Sequence, residues 1–201
     1  MCQLLESIRI EDGKVRLIDW HNARAERSMA DLFGIRKKMD LRKQILLTEE
    51  HQEGVHKCRL LYGKDGVEKV EIATYPPRII QKIKIVEGGN ISYPYKTLER
   101  PALDRLYGQR GQHDEICILN GDGFVTDAYY FNFVFEVGGS YFTPIHALLP
   151  GVMKAYLEFH NRITQTAIHV DDIHKFERVH LINAMNPLGK ISLFSANLTR
   201  E

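Results

Sequence analysis

The sequence is poor in cysteine, and its few cysteines show no pairing pattern. Only Cys2, Cys58 and Cys117 occur, and they are widely separated and odd in number. A framework of disulfide bonds of the kind that stabilises small secreted domains is therefore excluded. The sequence predicts reduced thiols in a cytoplasmic protein, with two of the three facing a core from strands.

A charge excess, long apolar runs and metal-binding spacings are also lacking. Lysine and arginine number 27 against 26 acidic residues, a net charge of +1, so we expect no broad surface for nucleic acid or an anionic membrane. The apolar runs are too short to span a bilayer, and no basic-then-apolar leader opens the chain. The nine histidines show neither i, i+4 pairs nor a Cys/His knuckle spacing, so no metal site is expected.

What is present is the composition of an ordinary globular protein. The 201 residues are 44% hydrophobic and 26% charged, which suffices for one domain or two small ones. Strand and helix patterns alternate along the chain and predict an α+β fold. The predicted domains are a small N-terminal α+β domain at 1–84, a linker at 85–93 and a larger, strand-rich C-terminal domain at 94–201.

The N-terminal part predicts a hairpin, two helices and a strand pair. Residues 4–18 alternate in hydropathy around an Asp-Gly turn. Asp19 is the predicted N-cap of a helix that stops at Gly34, and a second helix is expected at 39–53. The strand pair occupies residues 55–75.

The C-terminal part predicts mainly strands. Residues 120–123, Asn-Gly-Asp-Gly, carry a strong hairpin signal. Pro150-Gly151 precedes a helix over 152–160, whose first backbone N–H groups would suit a phosphate. The predicted strands lie at 115–119, 131–137, 141–143, 168–170, 179–185 and 189–194.

The arginines of the predicted strand and of the first helix have different predicted surroundings. Arg59 lies between Cys58 and Leu60 in an apolar strand. If it is buried there, it needs a phosphate or carboxylate partner, because a guanidinium cannot shed its charge; the alternative is a side chain that points to solvent. On the first helix, Arg24 and Arg27 are predicted to lie on a solvated face.

Lys96 is the candidate nucleophile. It lies where a strand-and-loop region passes into a helix, flanked by Tyr93, Tyr95 and Leu98. Such neighbours would partly desolvate the amine, lower its pKa and make it nucleophilic. On local grounds alone a solvated surface lysine is the commoner case, so the interpretation depends on motifs elsewhere in the chain.

Five motifs follow one another along the chain. They are Arg59, Lys96, Thr126-Asp127 with Asn132, Pro150-Gly151-Val152-Met153-Lys154, and Asn183-Ala184-Met185-Asn186-Pro187. In this order and at these spacings the chain resembles the class IV aminotransferases, the fold-type IV pyridoxal-phosphate enzymes, over essentially its whole length. The resemblance implies a two-domain fold, pyridoxal 5′-phosphate as cofactor, a small-molecule amino substrate and a homodimer, with no nucleic acid or membrane partner.

The resemblance also implies roles for these residues. Lys96 would form the Schiff base with the cofactor and later move the α proton of the substrate. Asp127 stands where the family usually has glutamate and would pair with the ring nitrogen, although on its own it could equally be a turn-capping carboxylate. The other implied contacts are Arg59 and the backbone of Val152 and Met153 to the phosphate, Asn132 and Asn183 to the cofactor, and Ser7 to the substrate.

Within the family, the lyases are the nearer resemblance. Aminotransferases usually have a tyrosine where this chain has Pro101, and a threonine where it has Met153. The lyase pattern is matched at 96–100, 151–154 and 183–187. The leading hypothesis is therefore an enzyme similar to 4-amino-4-deoxychorismate lyase, which forms 4-aminobenzoate and pyruvate for folate synthesis.

Three alternatives stay open at this point. The chain could be an aminotransferase acting on branched-chain or D-amino acids, a family member that has lost catalysis and serves as a binding protein, or an unrelated α+β interaction module. Family members usually carry a longer N-terminal segment with an additional strand. Its shortening here would leave the site more open, or covered by the dimer partner.

Overall fold

The computed structural model describes residues 3–200. Contacts within the chain divide it into two compact units, one of residues 1–77 with 95–99 and the other of residues 78–94 with 100–201. Both units combine helices with strands, and the predicted α+β class is confirmed. The chain passes from one unit to the other after residues 77, 94 and 99, and the domain bounds given from the sequence stay a prediction.

The first unit is an antiparallel sheet of four strands with one long helix. The strand order is β2-β1-β3-β4. Every second residue of β1 and β3 is buried, so one face of the sheet forms the core with Ala25 and Met29 of the helix. The elements are β1 (Leu4–Glu11), β2 (Lys14–Val15), α1 (Ile18–Phe33), β3 (Val55–Gly63) and β4 (Gly66–Thr74).

Helix α1 ends as predicted but begins differently. Gly34 terminates it in the left-handed conformation, with φ 69°, which glycine adopts without steric cost. The predicted N-cap Asp19 is wrong, because the N-cap is Leu17, whose carbonyl accepts the N–H groups of Trp20 and His21. Asp19 instead lies in the first turn, where a negative charge is favourable.

The predicted helix at 39–53 is wrong. Two short 3₁₀ helices, Leu41–Gln44 and Glu49–His51, replace it. The Asn22 side chain of α1 accepts the N–H of Leu41, and a reciprocal Thr48–His51 capping box starts a separate turn at residue 48. A bond from α1 and a local capping box therefore satisfy backbone groups in place of a continuous helix.

The second unit contains a small parallel sheet. Strand β5 (Ile83–Glu87) lies between β6 (Glu115–Leu119) and β12 (Leu198–Thr199), and both neighbours are parallel to it. Helix α2 (Pro101–Gly108) packs against β6 through Leu103 and Leu106, which are in the same buried cluster as residues of that strand.

The second unit also contains a five-stranded mixed sheet in the order β11-β10-β7-β8-β9. The predicted strand at 168–170 is wrong; a strand forms at 164–166, and a 3₁₀ helix covers Val170–Lys175. The other predicted strands are confirmed: the strand at 115–119 has the predicted bounds, the one at 141–143 is longer, and the remaining three are shorter. The elements are β7 (Asn132–Val137), β8 (Ser140–Pro144), α3 (Val152–Phe159), β9 (Thr164–Thr166), β10 (Arg178–Ile182) and β11 (Ser192–Phe194).

Two further sequence predictions concern the cysteines and membrane-spanning helices. Cys58 on β3 and Cys117 on β6 are free thiols in the core, as predicted, while Cys2 lies outside the described residues. Among residues 3–200, no helix is both long and apolar enough to cross a bilayer.

Candidate active site

Lys96 is held on the first unit by hydrogen bonds of the main chain. Its carbonyl accepts the N–H of Leu5 at 2.9 Å, and Leu98 N–H donates to the Gln3 carbonyl at 2.9 Å. Residues 96–98 thereby run antiparallel to the start of β1. Thr97 N–H also donates to the Tyr95 carbonyl at 2.9 Å, which makes Lys96 the centre of a three-residue turn. The position of this half-buried lysine is thus fixed relative to β1.

One residue further along β1, a buried carboxylate joins the sheet to α1. Glu6 is fully buried and accepts hydrogen bonds from His21 Nδ1 at 2.6 Å and from Arg24 Nε at 2.9 Å and Nη2 at 2.5 Å. Burial alone would raise the pKa of Glu6, but the Arg24 charge and these bonds hold it at about 2. The carboxylate is therefore ionised throughout the physiological range.

His21 links this cluster to Lys96 electrostatically. Burial lowers the pKa of His21, the bond to Glu6 opposes that effect, and the charges of Arg24 and Lys96 lower the pKa further. The imidazole is therefore neutral near pH 7. The charge of Lys96 therefore acts on the Glu6–His21–Arg24 cluster.

The prediction that Arg24 faces solvent is wrong, since the residue is only 8% exposed. The buried positions of α1 are His21, Arg24, Ala25, Ser28 and Met29. Their spacing is that of a core-facing helical stripe. This stripe was the sequence signal for a buried Arg24, because Ala25 and Met29 mark the same face.

Ser7 and Arg59 are brought together on the opposite face of the same sheet. They are directly paired between β1 and β3, and both are half-buried. Glu71 of β4 faces Arg59 from the other side, and the Arg59 charge contributes to lowering the pKa of Glu71. The phosphate contact of Arg59 and the substrate contact of Ser7 stay predictions.

In the second unit, Asp127 and Asn132 form a buried pair. Asp127 Oδ1 accepts a hydrogen bond from Asn132 Nδ2 at 2.7 Å, and Asp127 Oδ2 accepts one from the Leu149 N–H at 2.8 Å. Burial raises the pKa of Asp127 to about 6, although these bonds and the charge of Lys154 oppose the rise. Both hydrogen-bond donors to the carboxylate are neutral groups.

The same pair positions the start of helix α3. Asn132 Nδ2 also donates to the Leu149 carbonyl at 3.0 Å. A Cβ atom at Gly151 would lie 2.0 Å from Asn132 Oδ1, so only glycine fits beside the amide. Val152 and Met153, predicted to cup a phosphate with their backbone, form the first turn of α3 directly after this glycine.

We expect Gly151→Ala to displace Asn132 and to disturb both Asp127 and the first turn of α3. Overpacking of this kind costs about 1–3 kcal/mol of stability, measurable by urea unfolding. Gly108→Ala is the matched control, because a Cβ there meets nothing within 4 Å. It should leave stability unchanged or raise it by up to about 1 kcal/mol; equal effects of the two variants would contradict the close contact at Gly151.

Asn183 organises a turn after β10. Its Oδ1 accepts hydrogen bonds from the backbone N–H groups of Met185 and Asn186, both at 2.9 Å, and from Asn186 Nδ2 at 3.0 Å. Its Nδ2 donates to the Tyr130 carbonyl at 3.1 Å. Asn183 thus connects its own turn to the loop after Asp127, and its contact with a cofactor stays a prediction.

The arrangement can be compared with known proteins. The family model described as amino-transferase class IV matches residues 3–194. The chain belongs to the class IV aminotransferase family. This class IV protein is 32% identical over 190 residues to an uncharacterised protein of Haemophilus influenzae, a match that covers 94% of this chain and all of the other.

Solved structures agree with the family. A candidate 4-amino-4-deoxychorismate lyase from Haemophilus somnus superimposes with a TM-score of 0.85 and 31% identity, covering 94% of this chain and 98% of that one. A hypothetical aminotransferase from Mycobacterium tuberculosis, in its PLP-bound form, matches with a TM-score of 0.74 and 17% identity over 98% of this chain and 81% of its own. The second likeness concerns the fold alone.

Proposed function

We propose that this class IV protein is a pyridoxal-phosphate-dependent lyase that converts 4-amino-4-deoxychorismate to 4-aminobenzoate and pyruvate. The observation that favours a lyase over an aminotransferase is Pro101, the first residue of helix α2. Aminotransferases of the family usually place a tyrosine at that position. The likeness to the Haemophilus somnus protein supports the same choice.

The residues fit the cofactor that this reaction requires. When bound, pyridoxal phosphate supplies an aldehyde for an amine and a ring that draws electrons from the substrate carbon. Asp127 is a buried carboxyl whose hydrogen-bond donors are all neutral, and burial raises its pKa to about 6. A cationic ring N–H beside Asp127 would favour the ionised form of this carboxyl. The proposed role of Asp127 is to pair with that ring nitrogen.

Lys96 is the proposed nucleophile and proton carrier. The main chain of Lys96 is fixed to β1. The amine can therefore return to the same place after each proton transfer. In the proposed reaction Lys96 Nζ accepts the proton that leaves the substrate carbon. Loss of the enolpyruvyl group then completes an aromatic ring.

Two guanidinium groups of the first unit are candidates for the cofactor phosphate. Arg59 was predicted from the sequence and lies half-buried on β3. Arg24 is the addition from the structure, because Glu6 holds it rigidly and its charge acts on His21 together with that of Lys96. Titration of Arg24→Gln and Arg59→Gln with pyridoxal phosphate would show, by the loss of affinity, which of them carries the contact.

The decisive experiment measures product formation by purified protein loaded with pyridoxal phosphate. We expect release of equal amounts of 4-aminobenzoate and pyruvate from aminodeoxychorismate. Transfer of the amino group from a branched-chain or D-amino acid to a keto acid, without 4-aminobenzoate, would establish an aminotransferase instead. Cofactor binding without either reaction would indicate a binding protein. The proposed homodimer is tested by the mass of the loaded protein in solution.

A further inference from the structure

The loop that follows Asp127 carries two adjacent tyrosines at its tip. Asp127 and Asn132 pair at the ends of the loop, and a backbone hydrogen bond of 2.9 Å closes it one residue further in. Tyr129 and Tyr130 are therefore the central residues of a turn. Glycine, asparagine, aspartate and proline dominate such positions, so two large aromatic side chains there require another reason.

Tyr129 has a structural reason. Its hydroxyl donates to Asp104 Oδ1 at 2.5 Å, and its ring stacks on Tyr107 with centroids 4.0 Å apart. The Arg100 guanidinium lies 4.0 Å from the Tyr129 ring centroid and donates to the Tyr129 carbonyl at 3.2 Å. Tyr129 thus anchors the loop to helix α2, and Arg100 completes that anchor.

Tyr130 and Arg78 are different, because they point outward. Tyr130 is 39% exposed, and the guanidinium of the exposed Arg78 lies 4.3 Å from its ring centroid. Throughout residues 3–200, no carboxylate lies within ion-pairing distance of Arg78, and the Tyr130 hydroxyl has no hydrogen-bond partner. A cation that stacks on an aromatic ring and forms no ion pair is suited to an anionic ligand with a flat body.

The charges around this pair favour an anion. Three guanidinium groups stack on the tyrosine cluster, those of Arg78, Arg100 and Arg110. The acids nearby are Asp104, engaged by Tyr129, and the buried Glu115. Burial raises the pKa of Glu115 to about 7, so this carboxyl is largely neutral at slightly acidic pH and half ionised near pH 7. The cluster therefore keeps a positive excess.

Tyr130 also lies on the loop that carries the proposed cofactor acid. Tyr130 follows Asp127 by three residues, and its carbonyl accepts the hydrogen bond from Asn183. Two of the loops that supply predicted cofactor residues therefore meet at Tyr130. A ligand held by its ring would lie beside the loops of Asp127 and Asn183.

We propose that Arg78 and Tyr130 form a subsite for a carboxylate attached to an unsaturated ring. The subsite rests on the proposed function and names the part of its substrate that is recognised. The guanidinium pairs with the carboxylate through two parallel N–H groups, and the ring stacks against Tyr130. Tyr130 is positioned by the anchor formed by Tyr129, Arg100 and Asp104.

The test compares two ring ligands that differ only in charge, 4-aminobenzoate and 4-aminobenzamide, by calorimetry on the loaded full-length protein. Arg78→Gln should reduce the preference for the carboxylate over the amide about tenfold, because a charge-assisted hydrogen bond is lost. Tyr130→Ala should weaken both ligands alike. Arg178→Gln is the matched control: its guanidinium lies 4.9 Å from the Phe194 ring centroid in the same unit, and it should bind both ligands as the parent does.

Wild-type affinities in both Arg78→Gln and Tyr130→Ala would overturn the subsite. The outcome is separable from that of the proposed reaction. If the enzyme releases 4-aminobenzoate while both variants keep the parent KM, the subsite is wrong and the reaction stands. If no lyase activity is found but both variants lose ligand binding as described, the subsite stands and the reaction is wrong. The melting temperature of Arg78→Gln should match the parent, because the Arg78 side chain is exposed. Tyr130→Ala should lower the melting temperature, because the Tyr130 ring also packs against Tyr107 and Tyr129.

Discussion

Lys96→Ala should abolish covalent retention of pyridoxal phosphate and reduce turnover by at least about a hundredfold, the lower range for loss of a catalytic base. The physical reason is that Lys96 is proposed both as the amine that holds the cofactor and as the group that accepts the substrate proton. Borohydride reduction followed by peptide mass spectrometry locates the cofactor. In the parent protein it should be found on the peptide that contains Lys96.

The control for this variant is Lys43→Ala. Lys43 is 79% exposed and pairs with Asp40 at 3.2 Å on the surface, an interaction worth at most about 1 kcal/mol. It should retain both cofactor and turnover. Cofactor found on another lysine, or full turnover without Lys96, would contradict the assignment of the nucleophile.

Glu6→Gln should cost about 3–5 kcal/mol in the free energy of unfolding, because it leaves the buried guanidinium of Arg24 without its counter-charge. Urea unfolding measures the change. Glu11→Gln removes a carboxylate on the same strand that pairs with Arg9 and Arg16 nearer the surface, and it should cost no more than about 1 kcal/mol. The double variant Glu6→Gln with Arg24→Met should recover part of the loss, since neither charge then remains buried.

The same cluster predicts how stability depends on pH. The pKa of Glu6 is about 2 in the folded protein against an ordinary 4.5, so its contribution is present above pH 4.5 and is lost as the pH falls from 4.5 towards 2. The lowered pKa of His21 acts in the same direction below its ordinary 6.5. Glu6→Gln should therefore unfold with a weaker dependence on pH below 4.5 than the parent. The same pH dependence of unfolding below pH 4.5 in Glu6→Gln and in the parent would contradict the role of Glu6.

The strand-rich order of the chain was predictable because its signals are local. Alternating hydropathy identified β1, β3 and β4, and Gly34 identified the end of α1. The absence of the second helix was not predictable from the local pattern, since side chains of α1 accept the backbone N–H groups of Met39 and Leu41 and a capping box starts a new turn at Thr48. The bonds from α1 depend on a part of the chain that is distant in sequence.

The residues of the candidate site were likewise predictable only in part. Lys96, Asp127 and Asn132 were recognisable as motifs in order, and the structure shows that Asp127 and Asn132 are bonded to each other. Arg24 was misjudged because a charged residue on a helix is usually solvated. Its burial depends on Glu6, which lies 18 residues earlier in the chain.

The amino-acid sequence by itself determined the family, the mixed α+β class and the identity of the proposed nucleophile, because motif order and hydropathy period are properties of the chain. Tertiary structure alone decided which charges are buried, which glycine cannot be replaced, and which tyrosine of the Tyr129-Tyr130 pair faces outward. Burial and close contact arise only when distant segments pack together, and each of these features is set by a partner on another element.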